Sequence, residues 1–259
     1  MNESDYRSKQ SIRNKVWCFM EENNISEFPR PSFYRIPNFK GADEACEKVV
    51  NLEEFQKAIT VKVCPDSPQK HLRFLILQKN KTLLMSKPGL KDSMFYKVVP
   101  PCNVTDDVLH LCSSLKGAKQ YGVEMPNNEV KVDLIVIGSV AVTYNGHRIG
   151  KGKGYADLGY SIMSSLNAIT PLTPLVTVVH DCQVFETLPK EIFEPHDVPV
   201  DIIVTPTRII NCKPILPKPN SIVWPLISKE KINLLPSLKE LKLINTKLKK
   251  KSLNSLEFT

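Results

Sequence analysis

Several features of other protein classes are missing from this chain of 259 residues. No apolar run approaches the roughly 20 residues that a membrane-spanning helix needs, and the polar start MNESDYRSKQ contains no secretory signal core. The seven cysteines are scattered, odd in number and without a CxxC pair, which argues against a disulfide framework and a zinc module. We therefore expect a soluble protein of the reducing cytoplasm that makes no membrane contact.

Glycine is also scarce, and its distribution is uneven. The chain has only ten glycines, and six of them lie between Gly138 and Tyr160, in GSVAVTYNGHRIGKGKGYADLGY. Glycine tolerates positive φ and lets backbone N–H groups approach a ligand without interference from a Cβ atom. This one stretch is therefore the first candidate for a binding loop.

The net charge of +8 is concentrated near the C-terminal end of the sequence. Residues 229–259 carry eight lysines and three glutamates, which gives +5 and leaves +3 for residues 1–228. A solvated tail explains this pattern, and contact with the phosphates of RNA or of a membrane surface is the alternative. We favour the solvated tail, because its one aromatic residue, Phe258, offers no platform for stacking bases.

Apolar runs alternate with segments of helical spacing through most of the chain. Strands are predicted at Ile59–Cys64, Leu72–Leu77, Thr82–Met85, Val130–Val142, Leu175–Asp181 and Val200–Thr205. Helices are predicted at Ser8–Glu22, Ala42–Lys57 with a break near Asn51, Asp106–Leu115 and Asp157–Ala168. This order predicts an α/β protein, a three-layer α/β/α domain with a mainly parallel central sheet over residues 1–228. In the basic tail, residues 229–259, the apolar positions from Ile232 to Ile244 predict a helix that packs back on the domain.

The glycine loop follows a buried strand, where open α/β sheets bind ligands. Gly150, Gly152 and Gly154 alternate with Lys151 and Lys153, a spacing that fits neither the P-loop nor the Rossmann fingerprint. The residues therefore indicate a phosphate-binding loop of neither standard type. A close-packed turn with solvated lysines is the alternative.

The loop resembles the G-x-R-x-G-x-G-x-G-Y-x-D motif of 5-formyltetrahydrofolate cyclo-ligases. The matching positions are Gly146, Arg148, Gly150, Gly152, Gly154, Tyr155 and Asp157. Further matches follow in the family's order, at Lys9, Arg13, Gln183, His196–Asp197, Asp201 and Val204–Thr205. The stretches FPRPSFYRIPNFKGA, VVHDCQV and TPTRII are similar to a subgroup, the methenyltetrahydrofolate synthase domain-containing proteins. Longer members of that subgroup carry an RNA-recognition domain, whose signature this sequence does not contain.

This resemblance implies a CoA-transferase-like fold and an ATP- and Mg²⁺-dependent reaction that converts 5-formyltetrahydrofolate to 5,10-methenyltetrahydrofolate. It implies that Lys9, Arg13 and Arg148 contact ATP phosphates, and that the backbone of Gly150–Tyr155 wraps them, with Lys151 and Lys153 adding charge. Arg148 and Tyr155 would be the catalytic residues. Asp157 and Asp201 would hold Mg²⁺, which takes oxygen ligands. The implied partners are a nucleotide and a reduced folate, with RNA as a possible partner of the tail.

Each role has a structural alternative. Lys9 and Arg13 lie one helical turn apart and could form a solvated face, Arg148 could pair with a structural carboxylate, and Asp157 could cap the helix that follows. His180–Asp181 and His196–Asp197 have no nucleophilic serine motif beside them, and we expect structural hydrogen bonds there.

The sequence also departs from the family's pattern. Val142–Thr143 replaces the usual Phe-Asp, Ala156 and Leu158 replace a tyrosine and an arginine, and Pro206 replaces a glutamate. The glutamate expected to bind substrate has no clear counterpart, and Asp66 is the one candidate. Three functions stay open: a diverged nucleotide-binding relative with the folate reaction lost or altered, an active cyclo-ligase, and a non-catalytic RNA-binding module. We favour the first.

Overall fold

The computed structural model describes residues 7–87, 94–99, 102–125, 129–236 and 238–244. Within these residues, the strands are β1 (Ser26–Glu27), β2 (Asn38–Phe39), β3 (Thr60–Val63), β4 (Thr82–Ser86), β5 (Phe95–Val98), β6 (Val123–Glu124), β7 (Leu134–Ile137), β8 (Ala141–Thr143), β9 (Arg148–Ile149), β10 (Leu175–Val178), β11 (Val184–Phe185), β12 (Ile202–Val204) and β13 (Ile209–Asn211). The helices are α1 (Lys9–Glu22), α2 (Ala42–Val50), α3 (Glu53–Lys57), α4 (Lys70–Gln78), α5 (Asp106–Cys112), α6 (Leu115–Tyr121), α7 (Tyr155–Ser165) and α8 (Lys229–Leu234).

One eight-stranded sheet organises the molecule, in the order β13-β12-β10-β7-β3-β4-β5-β6. The five central strands, β12 to β4, run parallel, and β13, β5 and β6 join the edges antiparallel. Strands β8, β9 and β11 form a separate three-stranded sheet. The carboxyl ends of β3 and β7 therefore open at the same edge of the sheet, where ligands bind in such folds.

Side chains alternate across the sheet and pack into one apolar core on each face. Leu134 and Val136 of β7 belong to the core shared with α1, α2 and α4. Ile135 and Ile137 of the same strand belong to the core shared with α7. Helices thus cover both faces of a sheet with parallel central strands, which confirms the predicted three-layer α/β/α fold.

The strand predicted at Leu72–Leu77 is wrong, since these residues lie in α4, Lys70–Gln78. The residues from Leu72 to Leu77 are all buried, Arg73 included. A helix buried on all sides has the same continuous apolar run as a buried strand. The Arg73 guanidinium is satisfied by the carbonyl oxygens of Cys64, Asp66 and Ser113 at 2.9 Å.

The single strand predicted at Val130–Val142 is divided into β7 and β8, which belong to different sheets. The chain leaves the main sheet at Gly138–Ser139. The buried Gln183 amide donates to the carbonyl oxygens of Ser139 at 3.1 Å and Val140 at 3.0 Å. Gln183 thus satisfies the two carbonyl groups that the break would otherwise leave unpaired.

The lysine-rich segment packs on the domain for as far as the structure describes it. Ile232, Leu235, Leu238 and Leu241 are buried, and the last three belong to the α7-side core. The helix is not continuous, because Leu235 separates α8 from the helical residues 238–244. The predicted packing is confirmed for these residues, so this part of the segment is not the solvated tail that we expected over residues 229–259. Residues 245–259 lie outside the described residues. No helix in the described part of the chain is long and apolar enough to cross a membrane.

Candidate functional site

A pocket of about 160 Å³ lies at the carboxyl edge of the sheet, beside the glycine loop. We call it the glycine-loop pocket. The predicted residues that line it are Lys9, Arg13, Arg148, Gly150, Lys151, Gly152, Lys153, Gly154, Tyr155 and Asp157. Helix α1, the loop and the start of α7 bring these positions together from distant parts of the sequence. All the predicted site residues except Asp201 therefore lie in one site.

The loop between β9 and α7 has the backbone that its glycines predict. Gly152 has a φ of +91° and Gly154, at the N-terminus of α7, a φ of +65°, a region that disfavours side chains. The first bond of α7, from Leu158 N–H to Gly154 O, is 3.1 Å long. The N–H groups before it have no intrahelical partner, and together with the helix dipole they favour an anion.

Arg148 is buried beneath the loop and is bound on three sides. Its guanidinium donates to Gly138 O at 3.0 Å, to Val198 O at 3.2 Å and to the Asp157 carboxylate. A Cβ at Gly150 would lie 2.9 Å from Arg148 Nη1, so glycine leaves room for this guanidinium. The structure therefore shows the alternative that we considered for Arg148, an ion pair with a carboxylate, here that of Asp157.

Asp157 lies in the first turn of α7 and accepts from Arg148 and from Val198 N–H at 3.1 Å. Burial raises the pKa of the Asp157 carboxyl, but the charge and hydrogen bond of Arg148 outweigh burial, so the pKa lies below its ordinary value. The carboxylate is therefore charged at neutral pH and anchors the loop to the turn that precedes β12.

Helix α1 presents two cations to the pocket from successive turns. The Lys9 ammonium pairs with Asp197, and Arg13 Nε donates to Gly150 O at 2.6 Å. Burial lowers the pKa of Arg13 below its ordinary value, although the nearby charge of Asp197 opposes this shift. The guanidinium also lies near Gly152, where an added Cβ would be 3.3 Å from Arg13 Cζ. A second glycine thus leaves room for a second arginine.

The two loop lysines differ in their surroundings. Lys151 Nζ lies 2.7 Å from the Asp66 carboxylate, whereas Lys153 is exposed. Tyr155, which begins α7, is 38% exposed and has Lys231 of α8 over its ring at 5.0 Å. The side chains of Lys153 and Tyr155 are therefore accessible to a ligand in the pocket.

Asp201 lies elsewhere, and the structure does not bring it together with Asp157. It precedes β12 at the amino end of that strand and is not among the residues that line the pocket. Its carboxylate accepts from Leu175 N–H at 2.7 Å and from Lys218 Nζ at 2.6 Å. Asp201, which we predicted to hold Mg²⁺ together with Asp157, pairs with a lysine instead.

Three further polar residues line the pocket. They are Asp66, the one candidate for the missing substrate glutamate, and the pair His196–Asp197, for which we expected structural hydrogen bonds. Asp197 accepts from Glu194 N–H at 2.7 Å, the structural hydrogen bond that we expected, and it also pairs with Lys9. The other candidate pair, His180–Asp181, also makes structural hydrogen bonds. The Asp181 carboxylate accepts from the hydroxyls of Thr205 at 2.8 Å and Thr207 at 2.5 Å.

Five cationic side chains therefore face three carboxylates in the glycine-loop pocket. In the described part of the chain, no three His, Cys, Asp or Glu side chains are arranged to hold a metal ion by themselves. The excess positive charge, the open loop and the helix N-terminus suit an anion such as a phosphate.

A second cavity, of about 250 Å³, adjoins the first. We call it the lysine cavity, because Lys62, Lys87, Lys151 and Lys153 line it together with Asp66, Phe95 and Tyr155. The two cavities share several of their lining side chains: Asp66, Lys151, Lys153, Tyr155 and Ala156. Ligands in the two cavities would therefore contact some of the same side chains.

Comparison with known proteins identifies the family. The model of the 5-formyltetrahydrofolate cyclo-ligase family matches residues 5–206, a range that contains both cavities and every strand of the main sheet except β13. The chain belongs to this family. The predicted resemblance is confirmed.

Individual relatives agree with this assignment. Methenyltetrahydrofolate synthase domain-containing protein of Bos taurus is 47% identical over 236 residues, which cover 91% of this chain and 62% of that protein. The Homo sapiens protein of the same name is 47% identical over 238 residues, with 91% and 61% covered. This member of the cyclo-ligase family thus spans about three fifths of the length of these relatives.

A solved structure shares the fold. The NMR structure of Aquifex aeolicus 5,10-methenyltetrahydrofolate synthetase matches with a TM-score of 0.51 at 25% sequence identity. The match covers 78% of this chain and 92% of that protein. It supports the α/β fold of the cyclo-ligase family for this chain.

Proposed function

We propose that the glycine-loop pocket binds the phosphates of ATP, as expected for a member of an ATP-dependent family. The observation that carries the proposal is the convergence of five cations on a loop of positive-φ glycines at the N-terminus of α7. Phosphates accept charge-assisted hydrogen bonds from such groups. In this proposal, Lys9, Arg13, Lys151, Lys153 and the loop N–H groups contact the nucleotide.

Arg148 has a different role in this proposal. Its side chain is 1% exposed and already donates to three protein oxygens, so we assign it to holding the loop in shape. Tyr155 stays the proposed catalytic contact, because it is accessible at the start of α7. The backbone of Gly150, Gly152 and Gly154 supplies the space and the N–H groups.

The carboxylates in the pocket could supply some, but not all, of the ligands of a Mg²⁺ ion. Mg²⁺ commonly uses one or two carboxylates together with substrate phosphates and water. Asp66, Asp157 and Asp197 line the pocket, and each already pairs with a cation. We propose that Mg²⁺ arrives with the nucleotide and that Asp157 is its protein ligand, where the bound ion would neutralise phosphate charge.

We further propose that the phosphate half of the cyclo-ligase site is kept and that the folate half is altered. The motif substitutions at Val142–Thr143, Ala156, Leu158 and Pro206 depart from the family's pattern. Ala156 lines both cavities, and the adjoining cavity is lined with lysines. The proposed protein is therefore a diverged nucleotide-binding relative whose folate reaction is lost or altered.

Calorimetric titration with MgATP tests the nucleotide proposal. We expect binding by the unmodified protein, and about 10-fold weaker binding for Arg13→Ala and Lys153→Ala, since a charge-assisted contact contributes about 1.5–3 kcal/mol and 1.4 kcal/mol is tenfold. Lys79→Ala, an exposed lysine outside the pocket, is the matched control and should bind normally. Equal affinity in all four proteins would contradict the proposed site.

An absorbance assay separates a diverged protein from an active cyclo-ligase. Purified protein is mixed with 5-formyltetrahydrofolate and MgATP, and the near-ultraviolet absorbance of methenyltetrahydrofolate is followed. We expect MgATP binding without turnover. The opposite outcome is turnover by the unmodified protein that Arg13→Ala reduces and Lys79→Ala leaves unchanged. It would show that the altered folate half still catalyses the family's reaction.

A further inference from the structure

A lysine from the C-terminal part of the chain reaches the glycine loop. The match to the cyclo-ligase family ends at residue 206, whereas Lys231 lies in α8. The Lys231 ammonium lies 3.4 Å from the carbonyl oxygen of Lys153 and 5.0 Å from the centre of the Tyr155 ring. A Cβ built on Gly154 would lie 3.7 Å from the same ammonium. Lys231 is therefore beside three consecutive residues that line the glycine-loop pocket.

Apolar packing holds α8 in this position. Ile232, the next residue of the helix, is buried. Leu235, Leu238 and Leu241 follow it and are buried in the α7-side core. The position of the Lys231 backbone is thus set by the folded domain, although its sequence surroundings are those of a lysine-rich segment.

A cavity of about 120 Å³ lies between the C-terminal segment and α7. Lys231 and apolar side chains of residues 222–227 line one side of it, and Leu158 of α7 also lines it. Gly154, Asp157 and His196 line both this cavity and the glycine-loop pocket. The Lys231 side chain therefore lies where the two spaces meet, and its flexible four-carbon stem lets the ammonium turn toward either one.

The surroundings of the Lys231 ammonium favour an anion. Gly154 precedes the first turn of α7 and provides no side-chain cap for its N–H groups, and a helix N-terminus carries a partial positive charge. Lys231 adds a full positive charge at the same place. Among the described residues, no carboxylate forms an ion pair with it, and its hydrogen bond goes to a carbonyl oxygen. An anion at this point would be attracted by both positive charges.

We propose that Lys231 is a further phosphate-binding residue of the glycine-loop pocket, supplied by the segment that lies beyond the family-matched range. The inference rests on the proposed function for the identity of the phosphates. A phosphate that accepts from Lys231 and from the loop N–H groups joins α8 to the loop. Ligand binding and the docking of α8 therefore stabilise each other, because the coupling between two equilibria is reciprocal.

Calorimetric titration with MgATP measures the contribution of Lys231 to binding. We expect Lys231→Met to bind about 10-fold more weakly than the unmodified protein, the scale of one charge-assisted contact, because methionine keeps much of the apolar stem and removes the charge. Lys229→Met is the matched control. Lys229 begins the same helix, is exposed and lines neither cavity, so its replacement should leave the affinity unchanged.

Two further measurements distinguish a phosphate contact from a structural role. Lys231→Met should melt within about 2 °C of the unmodified protein, since a half-exposed side chain without an ion pair contributes little to stability. MgATP should slow the hydrogen exchange of α8 in the unmodified protein and not in Lys231→Met. A large loss of thermal stability, or equal slowing of exchange in both proteins, would assign Lys231 a structural role and overturn the inference.

Arg13→Ala, titrated alongside, separates this inference from the proposed function. Weaker MgATP binding in Arg13→Ala, with unchanged binding in Lys231→Met, overturns the inference and leaves the nucleotide site intact. If the unmodified protein does not bind MgATP, the proposed function fails, and the same four proteins are titrated with tripolyphosphate. An affinity for tripolyphosphate that Lys231→Met lowers about 10-fold supports the phosphate contact, and equal or absent binding overturns it.

Discussion

The guanidinium of Arg148 and the carboxylate of Asp157 form an ion pair buried beneath the glycine loop. One side chain comes from β9 and the other from the first turn of α7, so the pair joins the two ends of the loop. The pair fixes where the loop begins and where it ends. The conformation that the loop offers to a ligand therefore depends on this ion pair.

We expect Asp157→Ala to destabilise the protein by about 3–5 kcal/mol, because removing one partner leaves the other charge buried and uncompensated. Urea denaturation followed by circular dichroism measures the change. The exposed pair Lys57–Glu53 is the control: Glu53→Ala should change the free energy of unfolding by no more than about 1 kcal/mol. A similar loss in both variants would show that the burial of the Arg148–Asp157 pair is unimportant.

The same pair predicts an acid dependence of stability. The pKa of Asp157 is lower in the folded protein than its ordinary value, so its contribution is present above about pH 4 and is lost as the pH falls through the folded pKa. Unfolding free energies measured between pH 7 and pH 3 should fall more steeply in the unmodified protein than in Asp157→Asn, which has no carboxyl to protonate. Parallel curves would contradict the prediction.

Gly152→Ala should weaken MgATP binding and cost about 1–2 kcal/mol of stability, because φ of +91° disfavours a side chain. The new Cβ would also lie 3.3 Å from the Arg13 guanidinium. Calorimetry and urea denaturation measure the two effects. The double variant Gly152→Ala with Arg13→Ala separates them: it should relieve the crowding and keep the cost of the backbone conformation. Unchanged stability in Gly152→Ala would count against the loop geometry described above.

Leu238→Ala should destabilise the protein by about 2–5 kcal/mol, the usual cost of truncating a buried leucine. Leu238 is fully buried in the α7-side core, whereas Leu243, five residues later, is 65% exposed. Leu243→Ala is therefore the matched control and should stay within about 0.5 kcal/mol of the unmodified protein. Thermal melts of both variants test whether the lysine-rich segment is part of the folded domain.

Hydrophobic patterns were sufficient to predict the layers of this fold, since buried strands and amphipathic helices have distinct periodicities. They failed at Leu72–Leu77, because a fully buried helix shows no polar face that would distinguish it from a strand. They also failed at Gly138–Ser139, where the chain changes sheets within a run of apolar residues. That break depends on hydrogen bonds from Gln183, which lies more than 40 residues further along the chain.

For the candidate site, motif spacing predicted which residues meet, and the structure adds how they are used. The loop glycines, Lys9 and Arg13 line one pocket as predicted. Spacing could not distinguish a ligand contact at Arg148 from a supporting role, since both require an arginine below the loop. It also could not locate Asp201, whose partner Lys218 comes from a segment without any motif. Lys62 of the lysine cavity is missing from the predictions because a single lysine in a strand gives no sequence signal of its burial.

The burial of Leu235, Leu238 and Leu241 has a consequence for how this protein is made. The α7-side core contains these leucines together with residues from Cys64 onward. During synthesis, the part of this core that the three leucines cover stays open to water until the last of them has left the ribosome. Chains that are still growing therefore expose apolar core side chains, and at this stage chaperone binding is expected.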